Sequence, residues 1–145
     1  MQTMRFLFWF LIFTATATFV EAQSIVGKWR TIDDNTGEQR SVVEIVERDG
    51  RYFGRIVKIF PRKSGEADPV CKACPKDDDR YNKKAVGMEI IRNMKAYPDY
   101  FADGDILDPE AGKVYRCRLW LSGDDLMVRG YWGPFFRTQT WKRAN

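Results

Sequence analysis

Asp49-Gly50 stands between two runs rich in β-branched and aromatic residues, Ser41 to Arg48 and Arg51 to Phe60, and that arrangement commits the middle of the chain to a β-hairpin. A two-residue turn needs positive φ to match the twist of its strands, and aspartate followed by glycine supplies it with little strain. Short alternating runs and turns recur on both sides. Lys28 to Asp33 alternates and leads into the turn residues Asp33-Asp34-Asn35-Thr36-Gly37. Lys113 to Leu121 is the clearest strand, with Tyr115, Cys117, Leu119 and Leu121 on one face and Arg116 and Arg118 on the other. Ser122-Gly123-Asp124-Asp125 turns it, Leu126 to Trp132 returns, Gly133-Pro134 turns again, and Phe135 to Arg143 ends the pattern.

Between residues 87 and 112 the signals are mixed. Gly87 to Lys95 reads as a strand with Met88, Ile90 and Met94 on one face, and a helix is the competing reading. Tyr97-Pro98-Asp99-Tyr100-Phe101 reads as an aromatic turn and Gly104 to Leu107 as a short strand. Asp108-Pro109-Glu110-Ala111-Gly112 is a tight loop in which Asp108 accepts backbone hydrogen bonds. About eight to ten short strands, without an amphipathic helix or an internal repeat, place the chain in the all-β class as a small antiparallel up-and-down β-barrel, with a sandwich as the second choice. Closure removes exposed edges and sets the first strand beside the last. In that setting Gly27-x-Trp29 acquires a role: the glycine lets the backbone pass close to the wide indole, the indole plugs one barrel end, and Arg143 lays its guanidinium on the ring. Gly27, Trp29, Gly54, Asp108, Trp141 and Arg143 are the expected structural positions.

Residues 1–22 have a different character. Arg5 precedes the apolar run Phe6 to Phe13, small residues follow, and Val20-Glu21-Ala22 forms a small-x-small cleavage site, so the segment reads as a secretory signal peptide. The run is short of the roughly 20 residues that a bilayer span needs, and no membrane anchor is expected after processing. Cleavage would leave residues 23–145, or 145 − 22 = 123 residues, as a single domain in the periplasm or outside the cell. The net charge of +4 is spread over alternating basic and acidic residues, which suits a solvated surface rather than a nucleic-acid footprint. The chain has no histidine, and this removes imidazole general bases, histidine-activated nucleophiles and histidine-ligated zinc. No catalytic motif and no cofactor signature emerge, and a non-enzymatic role is favoured.

If the barrel holds a ligand, the inward faces of its strands supply the contacts. Tyr52, Gly54 and Ile56 share one face of the third run, and a glycine inside a strand marks a bend or a close approach by a neighbour, so that face is taken as interior. Adding the inward candidates of the other strands gives Tyr52, Ile56, Met88, Ile90, Tyr115, Leu119, Val128, Trp132 and Phe136 as ligand-binding candidates. The aromatics Tyr131, Trp132, Phe135 and Phe136, with Trp120 nearby, are first of all core material. Around the Gly133-Pro134 turn some of them must reach a barrel end, where they can rim a pocket for a small hydrophobic or aromatic molecule.

Residues 61–85 interrupt the strand pattern with Pro61, Pro69, Pro75 and the run Asp77-Asp78-Asp79, a length that marks a functional or loosely ordered connection. This loop carries Cys71-x-x-Cys74. A disulfide is the default in an oxidising compartment, with a redox motif, a half metal site, or a bridge from Cys117 to the loop as alternatives. The three aspartates read as solvated charge in preference to a calcium site, and no metal site is expected.

Gly27-Lys28-Trp29, Asp49-Gly50 with Gly54, Cys71-x-x-Cys74, Asp108-Pro109 with Gly112 and Tyr115, Arg129-Gly130-Tyr131 and Thr138-Gln139-Thr140-Trp141 together resemble the bacterial envelope family known as domain of unknown function 2147. The resemblance spans essentially the whole of residues 23–145, and the opening Gly-x-Trp with a late arginine is similar to the calycin signature. It implies a lipocalin-like barrel able to enclose a cavity and implies no reaction. The function expected is a secreted or periplasmic binding protein for a small apolar ligand. The alternative is an envelope interaction or structural protein whose barrel is filled by its own side chains.

Overall fold

The computed structural model describes residues 24–62 and 65–145, so the expected signal peptide at 1–22 lies outside the described residues. Eight strands follow one another: β1 Gly27–Ile32, β2 Gln39–Arg48, β3 Arg51–Ile59, β4 Glu89–Ala96, β5 Phe101–Asp108, β6 Lys113–Ser122, β7 Asp125–Trp132 and β8 Phe135–Arg143. Each pairs antiparallel with the next, and β8 returns to β1 to close the barrel. Asp49 and Gly50 both take positive φ, as the hairpin between β2 and β3 requires. Among the described residues, no helix is long and apolar enough to cross a membrane.

Closure brings Trp29 opposite Arg143 and Arg30 opposite Lys142. Trp29 is wholly buried, and its indole Nε1 donates to the Ile25 carbonyl at 2.7 Å. The Arg143 guanidinium lies 3.9 Å from the indole centroid and donates to the carbonyls of Val26 at 3.1 Å and Ser24 at 3.0 Å. It therefore ties the segment before β1 across the plugged end. Gly27 has a different task from the one expected. Its φ is +122°, and a Cβ there would sit 3.2 Å from Arg143 Nη1, so the glycine clears the arginine rather than the indole. Side chains fill this half of the barrel, with Val43, Ile45, Ile91, Met94, Leu119 and Leu126 all fully buried around Trp29.

The mixed region resolves into two strands. The run expected at Gly87 to Lys95 forms β4, Glu89–Ala96, and no helix, and β5 starts at Phe101 rather than Gly104. The face expected from alternation, Met88, Ile90 and Met94, is incomplete because β4 slips in register against β3: Tyr52 pairs with Met94, Gly54 with Ile91 and Arg55 with Glu89. Asn93 takes positive φ at 58°, and the bulge turns both Ile91 and Met94 inward. Gly54 faces the interior as expected, and its missing side chain leaves room for Ile91 and Val43, whose atoms would stand 3.1 to 3.2 Å from a Cβ.

The long connection between β3 and β4 is built as a cap. Val70 bridges to Lys84, Cys71 N–H donates to the Lys83 carbonyl at 2.9 Å, and Ala85 N–H donates to the Pro69 carbonyl at 2.8 Å. Arg80 is buried beneath it, with its guanidinium on both Asp78 oxygens at 2.9 and 2.8 Å and on the Glu89 carbonyl at 3.2 Å. These hydrogen bonds from Arg80 hold the Asp78 carboxyl far below the usual carboxylate range. Asp79 pairs bidentately with Arg92 of β4 at 2.8 and 2.9 Å, and its carboxyl too is held down by those bonds. The expectation of simple solvated charge is therefore corrected at two of the three aspartates: Asp79 ties the cap to Arg92 of the barrel wall, a pairing that local sequence cannot show, and Asp78 holds Arg80, two residues on, as it donates to the Glu89 carbonyl of β4.

Candidate functional site: a cavity at the open end

Opposite the Trp29 plug the barrel is hollow. A cavity of about 600 Å³ opens where the β1–β2, β3–β4, β5–β6 and β7–β8 connections gather. Ile56 and Ile59 from β3, Ile90 from β4, Ile106 from β5 and Val128 from β7 give it apolar walls. Trp141 stands deepest on β8, two residues from Arg143 and nearly fully buried, so it separates the cavity from the filled half. A polar belt crosses one wall. The Thr31 and Ser41 hydroxyls share a hydrogen bond at 2.8 Å, and the Ser41 N–H donates to Thr31 Oγ1 at 3.1 Å. Gln139 Oε1 accepts from the Trp141 indole at 3.2 Å, which leaves the Gln139 amide N–H groups as donors at this level.

The disulfide between Cys71 and Cys74 forms part of the mouth, with Cys71, Lys72 and Ala73 all lining the cavity. It is held by the β5–β6 turn. Asp108 Oδ1 accepts the N–H groups of Glu110 at 2.9 Å and Ala111 at 3.3 Å, and Gly112 N–H closes the turn on the Asp108 carbonyl at 2.8 Å. Gly112 has φ of +65°, and a Cβ there would fall 1.8 Å from the Ala73 carbonyl oxygen, so only glycine admits the disulfide loop this closely. The Cys71 sulfur also lies 3.3 Å from the Pro109 carbonyl oxygen. A disulfide sulfur has no proton to give, so this is packing contact rather than a hydrogen bond.

Charged side chains rim the opening. Arg137 holds Asp34 at 3.0 and 2.6 Å, Arg40 reaches Glu110 at 2.5 Å, and Arg62 reaches the same carboxylate at 2.7 Å. Arg40 also stands 3.5 Å from Asp33, whose carboxyl is held down chiefly by the N–H groups of Asn35 and Thr36. These pairs stitch the β1–β2, β3–β4 and β5–β6 connections together, but most are exposed and screened by solvent. The mouth is latched weakly.

Of the nine residues expected to contact a ligand, Ile56, Ile90, Tyr115, Val128 and Trp132 line the cavity. The other four do not. Tyr52 and Leu119 face inward but belong to the filled half: Tyr52 packs edge-on against Phe101 at 4.7 Å, and Leu119 is fully buried. Alternation identifies a face and says nothing of depth along the barrel. Met88 is buried in the core cluster beside the cap, because the β3–β4 slip takes it off the cavity wall. Phe136 pairs with Tyr131 on the outer surface, more than half exposed, since the partner of inward Trp132 is Phe135. Thr31, Ser41, Ile59, Ile106 and Gln139 were missed. Thr31 lies two residues from Trp29, already assigned inward, and strict alternation would have reached it; Gln139 lies two residues from Trp141, whose face the sequence alone leaves unassigned.

Cys117 is a buried free thiol on β6, and burial, reinforced by the nearby Asp105 carboxylate, pushes its pKa far up and keeps it protonated. Asp105 itself is raised by desolvation, and its Oδ1 is buried without a hydrogen-bond partner. Among the described residues, no group of three or more histidine, cysteine, aspartate or glutamate side chains is placed to hold a metal ion.

The family model described as "Uncharacterized protein conserved in bacteria (DUF2147)" matches residues 27–143, from the first residue of β1 to the last of β8. The chain belongs to this family. In this DUF2147 barrel the matched span includes Gly27, Trp29 and Arg143 of the closed end together with the cap and the cavity walls. Protein HP1028 from Helicobacter pylori, described as belonging to the lipocalin family, is a structural relative with a TM-score of 0.70 and 20% sequence identity over 86% of this chain and 85% of that one. At that identity the likeness shows the fold alone, a lipocalin-like barrel. No curated protein matches the sequence.

Proposed function

We propose that this DUF2147 chain is a non-enzymatic binding protein that works outside the cytoplasm and holds a small, mainly apolar molecule in the open end of its barrel. The carrying observation is the cavity: about 600 Å³, walled by isoleucine and valine, with Trp141 below and the Thr31, Ser41 and Gln139 polar groups to one side. That volume and chemistry fall within the range of small-molecule sites, roughly 300 to 1,000 Å³ of mostly apolar surface with a few placed polar groups. The Thr31 and Ser41 hydroxyls are engaged with each other rather than with a base, and the thiol of Cys117 is protonated. Both favour binding over catalysis. A location outside the cytoplasm is supported by the leader-like segment at residues 1–22 and by the buried disulfide.

Native mass spectrometry of protein purified from its own cells, paired with fluorescence titration by long-chain fatty acids and polyaromatic molecules, tests this reading. A retained small molecule, or saturable binding abolished by Val128→Phe with the fold intact by circular dichroism, is the expected result. No retained mass and no saturable binding across the panel would overturn it in favour of a barrel that serves protein contacts alone.

A further inference from the structure

The hairpin between β7 and β8 ends in Tyr131-Trp132-Gly133-Pro134-Phe135-Phe136, and this tip stands at the cavity mouth. Trp132 is 46% exposed, Phe135 62% and Phe136 56%. Trp132 and Phe135 stack on each other at 6.3 Å on one side of the hairpin, and Tyr131 and Phe136 pair at 6.0 Å on the other. The connections at Asp33–Gly37, Asp49-Gly50 and Ser122–Asp124 are polar, and the aromatic β4–β5 turn keeps Tyr97 and Tyr100 stacked at 4.9 Å and only partly exposed, so the tip stands out among these turns by the exposure of Trp132, Phe135 and Phe136. Exposed clusters of large apolar side chains mark interaction sites.

What flanks the tip indicates the partner. On the outer face, Arg116 pairs with Tyr131, and Arg118 pairs with Arg129 two residues further from the turn. Their guanidiniums lie on aromatic rings: Arg129 4.3 Å from the Phe136 centroid, Arg116 6.0 Å from Tyr131 and Arg118 3.8 Å from Tyr100. Among the described residues, none of the three has a carboxylate within salt-bridge distance, although the rim arginines Arg40, Arg62 and Arg137 all do. The aromatic tip is thus backed by three arginines that form no salt bridge, with Asp105 across the β5–β6 ladder from Arg116 as the carboxylate opposite them in register.

We infer that the β7–β8 tip docks on an anionic membrane surface, with Trp132, Pro134, Phe135 and Phe136 entering the interface and Arg116, Arg118 and Arg129 meeting lipid phosphates. The dimensions agree. At about 3.3 Å per residue, Arg118 and Arg129 lie some 10 Å behind the Trp132–Phe135 pair, which matches insertion by about 5 to 10 Å, and Arg116, some 3 Å behind it, reaches the phosphates along its own side chain. Tryptophan and tyrosine favour this boundary because one end of each ring system is apolar and the other hydrogen-bonds. A second copy of the chain is a poorer occupant, since pairing two such tips brings like arginine clusters together. Trp132 belongs to both the tip and the cavity lining, so docking would set the cavity mouth against the bilayer.

Co-sedimentation with vesicles of phosphatidylethanolamine and phosphatidylglycerol, and with vesicles of phosphatidylcholine alone, tests the inference and needs no cavity ligand, so its outcome is independent of the cavity reading. Binding to the anionic vesicles should be the stronger and should fall as salt is raised. Phe135→Ser and Phe136→Ser should each weaken it by about tenfold, and Arg116→Gln and Arg118→Gln by about fivefold each. Brominated lipid should quench tryptophan emission in the parent but not in Trp132→Phe. All these positions are at the surface, and unchanged urea melts would show the variants folded. Absence of anionic-vesicle binding, undiminished binding by a Phe135→Ser, Phe136→Ser double variant, or a dimer dissolved by that variant without vesicle binding would overturn it.

Discussion

The closed end of the barrel makes a quantitative demand on Trp29, Arg143 and Gly27. Trp29→Ala removes a fully buried indole and its hydrogen bond to Ile25, and because the strands around it are fixed by closure the cavity cannot collapse. The expected cost is on the order of 3 to 5 kcal/mol. Arg143→Ala loses a guanidinium 3.9 Å from the ring centroid and two hydrogen bonds to the carbonyls of Val26 and Ser24. Water can replace those bonds at this exposed site, so the cost should be about 1 to 2 kcal/mol. The two losses share one contact and should fall short of additivity by roughly 0.5 to 1 kcal/mol in a double-mutant cycle. Gly27→Ala supplies a second arm. It forces a Cβ into the arginine at 3.2 Å on top of an unfavourable φ, so part of its cost should vanish in the Arg143→Ala background while the φ strain persists. Urea denaturation of the singles and doubles with a common m value measures both couplings. Additivity in both cycles would mean that the arginine does not rest on the indole in solution, and the account of the Gly-x-Trp pattern would fall with it.

Gly112→Ala and Gly123→Ala impose similar φ strain, but only the first meets backbone, so Gly123→Ala should cost about 1 kcal/mol and Gly112→Ala should lower the melting temperature much further and speed disulfide reduction. Replacing Cys71 and Cys74 together by serine should cost about 2 kcal/mol, the loop-entropy value for so short a ring. Hydrogen exchange should rise across residues 69–85 and stay slow in β1 and β8, whereas a uniform rise would mean that the cap is integral to barrel stability. For Asp105, burial raises the folded pKa above the unfolded value, so its charge destabilises the fold as pH climbs from the unfolded pKa through the folded one. Asp105→Asn should therefore be more stable than the parent at about pH 7, with the difference closing below about pH 4, and urea midpoints at the two values would show it.

The fold was legible because its signals are local. Turn chemistry at Asp49-Gly50, Ser122–Asp125 and Gly133-Pro134 delimits strands within a residue or two, and the run of hairpins leaves a meander as the simplest connection. Even the Trp29–Arg143 contact follows from closure, since a meander that closes must put its first and last strands together. What stayed hidden depends on register. The bulge at Asn93 and the slip opposite Gly54 reassign Ile91 and Met88, and neither is written in an alternation of apolar and polar residues. Asp79 reads as surface charge because Arg92 becomes its partner only when the cap folds against β4, whereas the Asp78–Arg80 pair is local and is hidden only because nothing in the sequence shows that Arg80 is buried.

The candidate site was half legible for a reason that lies in barrel geometry. Inward residues of one strand form a column that runs from plug to mouth, and the column is the same to a sequence reading whether a given member packs against Trp29 or faces the hollow. Leu119 and Tyr115 illustrate it: they are four residues apart on one face of β6, yet the first is fully buried in the filled half and the second lines the cavity. What decides between them is how much side-chain volume the opposing strands contribute at each level. At the closed end Trp29, Ile91, Met94 and Leu126 converge. At the open end Thr31, Ser41 and Gly130 occupy inward positions with little bulk, and the space they leave is the cavity. The hollow is therefore encoded by small and polar residues at the mouth rather than by the large aromatics that first draw attention, and the aromatics of the β7–β8 tip stay exposed because Tyr131 and Phe136 face outward while Trp132 and Phe135 sit beside the turn, at the rim and not within the barrel.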